Sequence, residues 1–263
     1  MQPIGELDPE TARALSGVVF DVDDTLTHHG RVEREAFDAL WRLRDHGLHL
    51  IAVTGRPLGF AEVIARTWPV DAAVGENGAG YVQVTERALR FGYYTSELQL
   101  AEHAALLARV RERVATEAPF AQLADDSWAR RCDVAWDVAE RARLTSDQVT
   151  SLRALIEGAG ARCLVSSVHA HAVAGSYDKA TGAALATRAV LGRDLTSEPQ
   201  RWLFVGDSGN DAAAFAFFPV SAGVSNVRAH LAGLPQAPRF VSDADRGRGF
   251  AEIAEHVLRQ RGE

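Results

Sequence analysis

Lysine is almost missing from this chain of 263 residues: of its 28 basic residues only Lys179 is a lysine, the others all being arginine. On an ordinary surface the two are nearly interchangeable. A single lysine in a chain otherwise given over to arginine therefore marks a position where a compact ammonium does what a planar guanidinium cannot. Cysteine is scarce too. Cys132 and Cys163 are too few for a disulfide framework and have no metal-site spacing, so they are expected to be core thiols in a reducing compartment. No apolar run approaches the roughly 18 residues of a membrane span. The polar stretch Met1–Glu10 has no signal-peptide pattern, and the expected location is cytoplasmic. A net charge of −7 disfavours nucleic acid as a partner. Neither repeats nor low-complexity segments occur. Asparagine is rare, confined to Asn77, Asn210 and Asn226.

Apolar residues, by contrast, make up 47% of the chain, enough for a core domain with a second domain inserted in it. The stretch Val18–Thr27 organises the rest. Val18, Val19 and Phe20 read as a buried strand, and then Asp21, Asp23 and Asp24 arrive within four residues. A strand interior does not bury that much unpaired charge. The strand should end here, its tip at the cleft where open α/β sheets hold ligands. By strand alternation Asp21 and Asp23 point the same way. Two converging carboxylates suit a hard divalent cation such as magnesium. One can be a nucleophile while the other handles protons. An Asp-rich turn after a strand would use the same residues.

Further along, Pro9–Leu15 reads as a short helix capped by Asp8. A helix from Val32 to His46 stops at Gly47, with His28 and His29 as exposed loop histidines before it. A second strand, Leu48–Val53, runs into Thr54-Gly55-Arg56-Pro57. A hydroxyl and a glycine at a strand tip suit phosphate, although threonine can also simply cap the next helix. That helix reaches about Trp68, and a third strand, Ala72–Val74, leads into a tight turn at Asn77-Gly78. The order of elements implies a parallel sheet with right-handed crossovers. The pattern then breaks. Between Gly80 and Asp178 lies roughly a domain's worth of chain. It reads as strand Tyr81–Thr85, helix Ser96–Thr116, strands near Phe120–Leu123 and Cys132–Val138, helix Ser146–Gly158 with a capping box from Thr145 and Gln148, and strand Ala161–Val168. Trp128, Arg130, Arg131 and Asp133 cluster before one strand, and His169 and His171 share a face of another. Arginine beside an aromatic suits phosphate or sugar hydroxyls; a salt-bridged surface is the plainer reading. The two histidines lack a third ligand for zinc.

The core resumes with Lys179 at the start of a helix running to Leu191, a position that favours anions. A strand, Trp202–Val205, ends in Gly206-Asp207-Ser208-Gly209-Asn210-Asp211, two more carboxylates at a strand tip. Val220–Val224 is a last strand and Phe250–Arg259 a closing helix.

Four stretches, at Asp21–Thr27, Thr54–Gly55, Lys179 and Gly206–Asp211, resemble in type and order the four motifs of the haloacid dehalogenase superfamily. Placing the insert after the third strand resembles the subclass that includes trehalose- and sucrose-phosphate phosphatases and phosphomannomutase. The resemblance implies a Rossmann-like α/β core with an inserted α+β cap, divided as 1–83 core, 84–173 cap and 174–263 core. It implies a magnesium-dependent phosphatase of a small phosphorylated metabolite such as a sugar phosphate, with a phosphomutase or a non-catalytic sugar-phosphate-binding regulator as alternatives. By that likeness Asp21 is the nucleophile and Asp23 the general acid and base. Magnesium binds Asp21, Asp23, Asp207 and Asp211, and the phosphoryl oxygens are held by Thr54, Gly55, Lys179 and Asn210. Candidate substrate residues are Arg56, Arg130, Arg131, His169 and His171. Ala180 departs from the glycine common after that lysine, which alters the helix start and no functional group.

Overall fold

The computed structural model describes residues 1–262. A two-residue strand β1 (Gln2–Pro3) leads to helix α1 (Pro9–Ala14), whose N-cap Asp8 accepts from the Thr11 N–H at 2.8 Å. Then come β2 (Gly17–Phe20), a small hairpin β3 (Thr27–His28) and β4 (Arg31–Val32), α2 (Arg34–Asp45), β5 (His49–Val53), α3 (Leu58–Thr67) and β6 (Ala72–Gly75). His28 and His29 sit in that small hairpin, stacked on one another. A longer hairpin, β7 (Gly80–Thr85) and β8 (Ala88–Tyr93), precedes α4 (Glu97–Glu117), β9 (Asp133–Asp137), α5 (Ser146–Gly158), β10 (Arg162–Val165) and β11 (His169–Val173). The chain closes with α6 (Lys179–Leu191), β12 (Trp202–Gly206), α7 (Ala212–Phe217), β13 (Val220–Gly223), β14 (Phe240–Val241) and α8 (Arg246–Arg261).

The large sheet has the order β1-β14-β13-β12-β2-β5-β6-β7-β8. Its pairings are parallel from β1 to β6 and antiparallel from β6 to β8. Both faces are covered, which is why β2, β5 and β12 read as continuous apolar runs. Alternation sorts them: Phe20, Leu50 and Leu203 pack with α2, α3 and α8, while Val19, Ile51 and Phe204 pack with α6 and α7. From β2 the chain builds outward to β5 and β6 on one side, and later to β12, β13 and β14 on the other. The order therefore reverses between β2 and β12, and a cleft opens at the carboxyl ends of such a pair.

By the resemblance the insert is expected to start at residue 84. That boundary falls inside β7, and the whole hairpin β7–β8 is hydrogen-bonded to the edge of the large sheet. In sequence order Tyr81–Thr85 is the insert's first strand, but periodicity says nothing about which sheet a strand joins. A separate sheet of order β10-β11-β9 backs onto α4 and α5 over its own core of Val110, Val114, Trp136, Leu152, Ile156, Ala170 and Ala172. Of the expected strand at 120–123, only Leu123 bridges to Trp136. Both α4 and α5 start with a full capping box, Ser96–Gln99 and Thr145–Gln148. Cys132 and Cys163 are buried thiols.

Candidate active site

Asp21 is the first residue past β2, its N–H bonded to the Val205 carbonyl of β12 at 2.9 Å. Thr54 follows β5 and Asp207 follows β12. Three neighbouring parallel strands thus deliver three motifs to one edge because their registers align Phe20 with Ala52 and with Val205. The lysine comes from the other side. Asp178 caps α6, accepting from Thr181 N–H at 2.8 Å, so Lys179 is the helix's first residue. Its fully buried ammonium donates to Asp21 Oδ1 at 2.5 Å and Asp211 Oδ1 at 2.7 Å. The approach of α6 depends on Gly78, whose φ of +111° favours glycine and whose absent Cβ would lie 2.0 Å from the Asp178 carbonyl oxygen.

Asp211 also accepts from the Asp207 and Ser208 N–H groups, at 2.8 and 3.0 Å. Asp207 accepts from Asn226 at 2.9 Å through Oδ2, and its buried Oδ1 has no partner among the described residues. Oxygens of Asp21, Asp207 and Asp211 lie within 4.8 Å of one another. One ammonium does not neutralise three carboxylates. Burial, opposed by Lys179 and reinforced by the neighbouring carboxylates, pushes Asp21 up to about 7. Burial and the same neighbours hold Asp207 well above the usual range. An orphaned acceptor within an all-oxygen donor set fits a hard divalent cation.

Around this cluster, Thr54 is buried and its Oγ1 accepts from the Arg56 N–H at 3.0 Å. Asn210 donates to Asn77 Oδ1 at 2.9 Å, and the Asn77 N–H donates to the Thr54 carbonyl at 3.0 Å. Asn77 thus ties the second and fourth motifs together, which reading it as a turn signal missed. Asp23 is held by Arg56, whose Nη2 donates to Oδ1 at 2.9 Å and Nε to Oδ2 at 3.1 Å. The same guanidinium reaches Glu140 of the insert at 2.9 Å, and Glu140 accepts from His169 Nε2 at 2.9 Å. His169 and Arg56 hold Glu140 down at about 2.

Insert residues differ in what they reach. Ala170 and Ala172 face the insert's own core, so alternation turns His169 and His171 toward the cleft. Arg130 is engaged on all sides, with Asp126, with Asp133 at 2.9 Å, and with the Gly55 carbonyl of the core at 2.9 Å. Arg131 is exposed and donates to Tyr93 Oη at 3.0 Å, so the structure does not bring it to the centre. Arg130 makes its ion pairs with Asp126 and Asp133 in the interior, whereas the exposed Arg131 meets a tyrosine hydroxyl. Trp128 is 86% exposed. Glu76, unmarked in the sequence, is buried at a φ of +48° and accepts from the N–H groups of Leu58, Arg131, Cys132 and Asp133. Burial and Asp133 push it up to about 7 against those bonds. It ties the insert to the core, and only its place beside an Asn-Gly turn hinted at it. Nothing in the sequence marked Asp126 or Glu140, and only the rarity of asparagine pointed to Asn226.

The space at the reaction centre is small, about 10 Å³, walled by Asp21, Asp23, Gly55, Asn210, His169 and His171. That holds about one water. It shares Asp23, Ser167 and Val168 with an outer cavity of about 400 Å³ rimmed by Arg56, Glu140, Arg141, Arg143 and Arg246.

A carboxylate at the tip of β2, a hydroxyl after β5, a lysine opening α6 and an acidic tip on β12 meet at the reversal point of one parallel sheet, the arrangement that the resemblance to haloacid dehalogenase hydrolases implies. The model of the haloacid dehalogenase-like hydrolase family matches residues 18–126. A phosphoglycolate phosphatase of Natronomonas pharaonis is 28% identical over 248 residues, spanning 92% of this chain and 98% of the relative. Among solved structures, a Thermoplasma acidophilum protein superposes with a TM-score of 0.70 at 18% identity, over 93% of this chain and 98% of that one. The sucrose-phosphatase of Synechocystis, solved with sucrose and phosphate, gives 0.66 at 16%, over 94% and 98%. The family match and the phosphatase relative support a haloacid dehalogenase-like phosphatase, and the solved structures share its core-and-insert fold.

Proposed function

We propose that this phosphatase hydrolyses a small hydroxylated phosphomonoester, of the sugar-phosphate class, with magnesium as its resident ion and a covalent phosphate on Asp21 as intermediate. The observation that carries the reading is the Lys179 ammonium, shared between Asp21 and Asp211 beside the orphaned oxygen of Asp207. It orients one oxygen of Asp21 and leaves the other for attack. In the first step that oxygen bonds to phosphorus. The bond from phosphorus to the leaving oxygen breaks, and the leaving oxygen takes a proton from Asp23. In the second, water attacks the same phosphorus while Asp23 takes its proton, and inorganic phosphate leaves with Asp21 restored. Thr54, the Gly55 N–H, Lys179 and Asn210 are the donors for the phosphoryl oxygens. Asp21, Asp207, Asp211 and the Asp23 backbone carbonyl would hold the magnesium, which when bound supplies charge neutralisation at the phosphoryl group.

The insert acts as a lid in this reading. A space for about one water does not admit a phosphoryl group with its leaving group, so substrate entry requires the insert to lift. Closure then excludes water. The polar, charged lining of the outer cavity suits a hydroxylated leaving group better than an apolar one. Phosphoglycolate is a second reading, favoured by the Natronomonas relative and by the four arginines at the rim, which suit a carboxylate. Release of phosphate from a panel of phosphorylated metabolites tests the proposal, using wild type and Asp21→Asn with magnesium or excess chelator. Turnover by wild type in magnesium alone is expected. Asp21→Asn turning over at the wild-type rate, or full activity in chelator, would overturn the mechanism.

A further inference from the structure

The substrate's leaving group is not named by the catalytic residues, but one insert side chain is aimed at it. His171 is fully buried on β11, and its Nδ1 lies 2.9 Å from Asp133 Oδ2. Its Nε2 is buried and has no hydrogen-bond partner among the described residues. That nitrogen faces the core across the small space at the reaction centre, 3.2 Å from where a Cβ on Gly55 would stand. A Cβ at position 55 would press on the ring, lying 3.3 Å from its Cε1 as well. His169, next on the same face, has its Nε2 bound to Glu140. His171 presents to the space between Asp21, Asp23 and Asn210 a ring nitrogen that has no partner among the described residues.

Which chemistry that nitrogen offers follows from its partner. Asp133 takes two bonds from Arg130 Nη1, at 2.9 and 3.2 Å, besides the contact to His171. Arg130 and His171 together keep its carboxyl below the usual range, so it is an ionised, acceptor-only group. Its neighbour Nδ1 must therefore be the donor. Arg130 already balances the charge of Asp133, and burial pushes the imidazole down to about 4, so the ring is neutral. A neutral imidazole with its proton on Nδ1 has a lone pair on Nε2.

We infer that His171 is a specificity-determining residue: held through Nδ1 by Asp133, it presents Nε2 as a hydrogen-bond acceptor for a hydroxyl on the leaving group. The inference rests on the phosphatase reading and deepens it. A buried acceptor left without a donor is costly, and sites built to bond a hydroxyl discriminate strongly against analogues that lack it. A leaving group ending in a carboxylate has no proton to donate at neutral pH and sets lone pair against lone pair. The predicted preference is for polyol and sugar phosphates over phosphoglycolate, with Asp133 the positioning residue.

The test compares kcat/KM of wild type and His171→Phe on glycerol phosphate, a hexose phosphate, phosphoglycolate and p-nitrophenyl phosphate. Wild type should favour a hydroxylated ester over phosphoglycolate by about tenfold or more. His171→Phe should lower kcat/KM for the hydroxylated esters at least about tenfold more than for p-nitrophenyl phosphate. A wild-type preference for phosphoglycolate, or equal losses on every ester, would overturn the inference and leave the phosphatase reading standing. No release from any ester, by wild type as by Asp21→Asn, would overturn the phosphatase reading itself and this inference with it. Should His171→Phe fail to fold, imidazole nitrogen NMR of the wild-type protein decides: a protonated Nδ1 with a bare Nε2 supports the inference, and a proton on Nε2 defeats it.

Discussion

Arg56 lies across Asp23 in a two-point contact, Nη2 to Oδ1 at 2.9 Å and Nε to Oδ2 at 3.1 Å, while Nη2 also reaches Glu140 of the insert at 2.9 Å. The proposed general acid and base is thus oriented by a side chain that also holds the insert. This joins two features of the site, the closing of the insert over it and the orientation of Asp23.

The first prediction concerns that fork. Lysine keeps the charge of Arg56 but bonds at one point. Arg56→Lys should lower kcat by about 10–100-fold, since misplacement by about an ångström has that order of cost. Steady-state kinetics on the preferred ester check this. An unchanged kcat would mean that Asp23 finds its orientation without the arginine.

Lys179 provides the second. Its ammonium is enclosed between Asp21 and Asp211 with no exposed surface. Lys179→Arg should lower the rate on the order of a hundredfold by displacing the charge. The larger guanidinium should also destabilise the fold by about 1–3 kcal/mol through overpacking. Catalytic efficiency and urea unfolding of the purified variant measure the two effects. Near-wild-type turnover would make the lone lysine an accident of composition.

Cation binding can be read without turnover. A divalent ion bound by the folded state alone stabilises it by about 2.7 kcal/mol at a hundred times its Kd. At about 2–4 °C per kcal/mol, saturating magnesium chloride should raise Tm by about 5–10 °C. In Asp207→Asn, which converts the oxygen that lacks a partner, most of that rise should vanish. A wild-type Tm indifferent to magnesium would count against the carboxylate cluster as a cation site.

The pH dependence of stability follows from His171. Its ring is faced by Asp133 and Arg130 and by His169, with Asp21 and Asp23 across the space. Burial, with Arg130 and His169 opposing Asp133, pushes it down to about 4. The unfolded chain binds the proton near pH 6.5 and the folded chain does not. Its contribution is present above about 6.5 and lost as pH falls from there toward 4, a loss on the order of 2–4 kcal/mol at about 1.4 kcal/mol per pKa unit. Urea unfolding at pH 7 and 4.5 should show wild type losing more stability than His171→Phe. Parallel curves would mean that the ring takes up its proton in the folded state.

The chain's own order of residues determined the core and its motifs. Apolar runs ending in Asp21, Thr54 and Asp207, and the solitary Lys179, could be read locally, because a strand tip and a helix start each announce themselves within about ten residues. The capping boxes of α4 and α5 were legible for the same reason: a cap involves residues three apart. What the tertiary structure decided was every pairing between distant segments. Whether 80–93 joins the large sheet or the insert depends on edge hydrogen bonds that no periodicity encodes. Arg130 met Asp126, Asp133 and Gly55 instead of an open cleft. Asn226, Glu76 and Glu140 took on their roles only when a partner far along the chain came within 3 Å or so. Strand registers bring Asp21, Thr54 and Asp207 to one edge by backbone bonding that their own sequences favour. The insert's contacts with the core depend instead on side-chain distances, which only the folded chain sets.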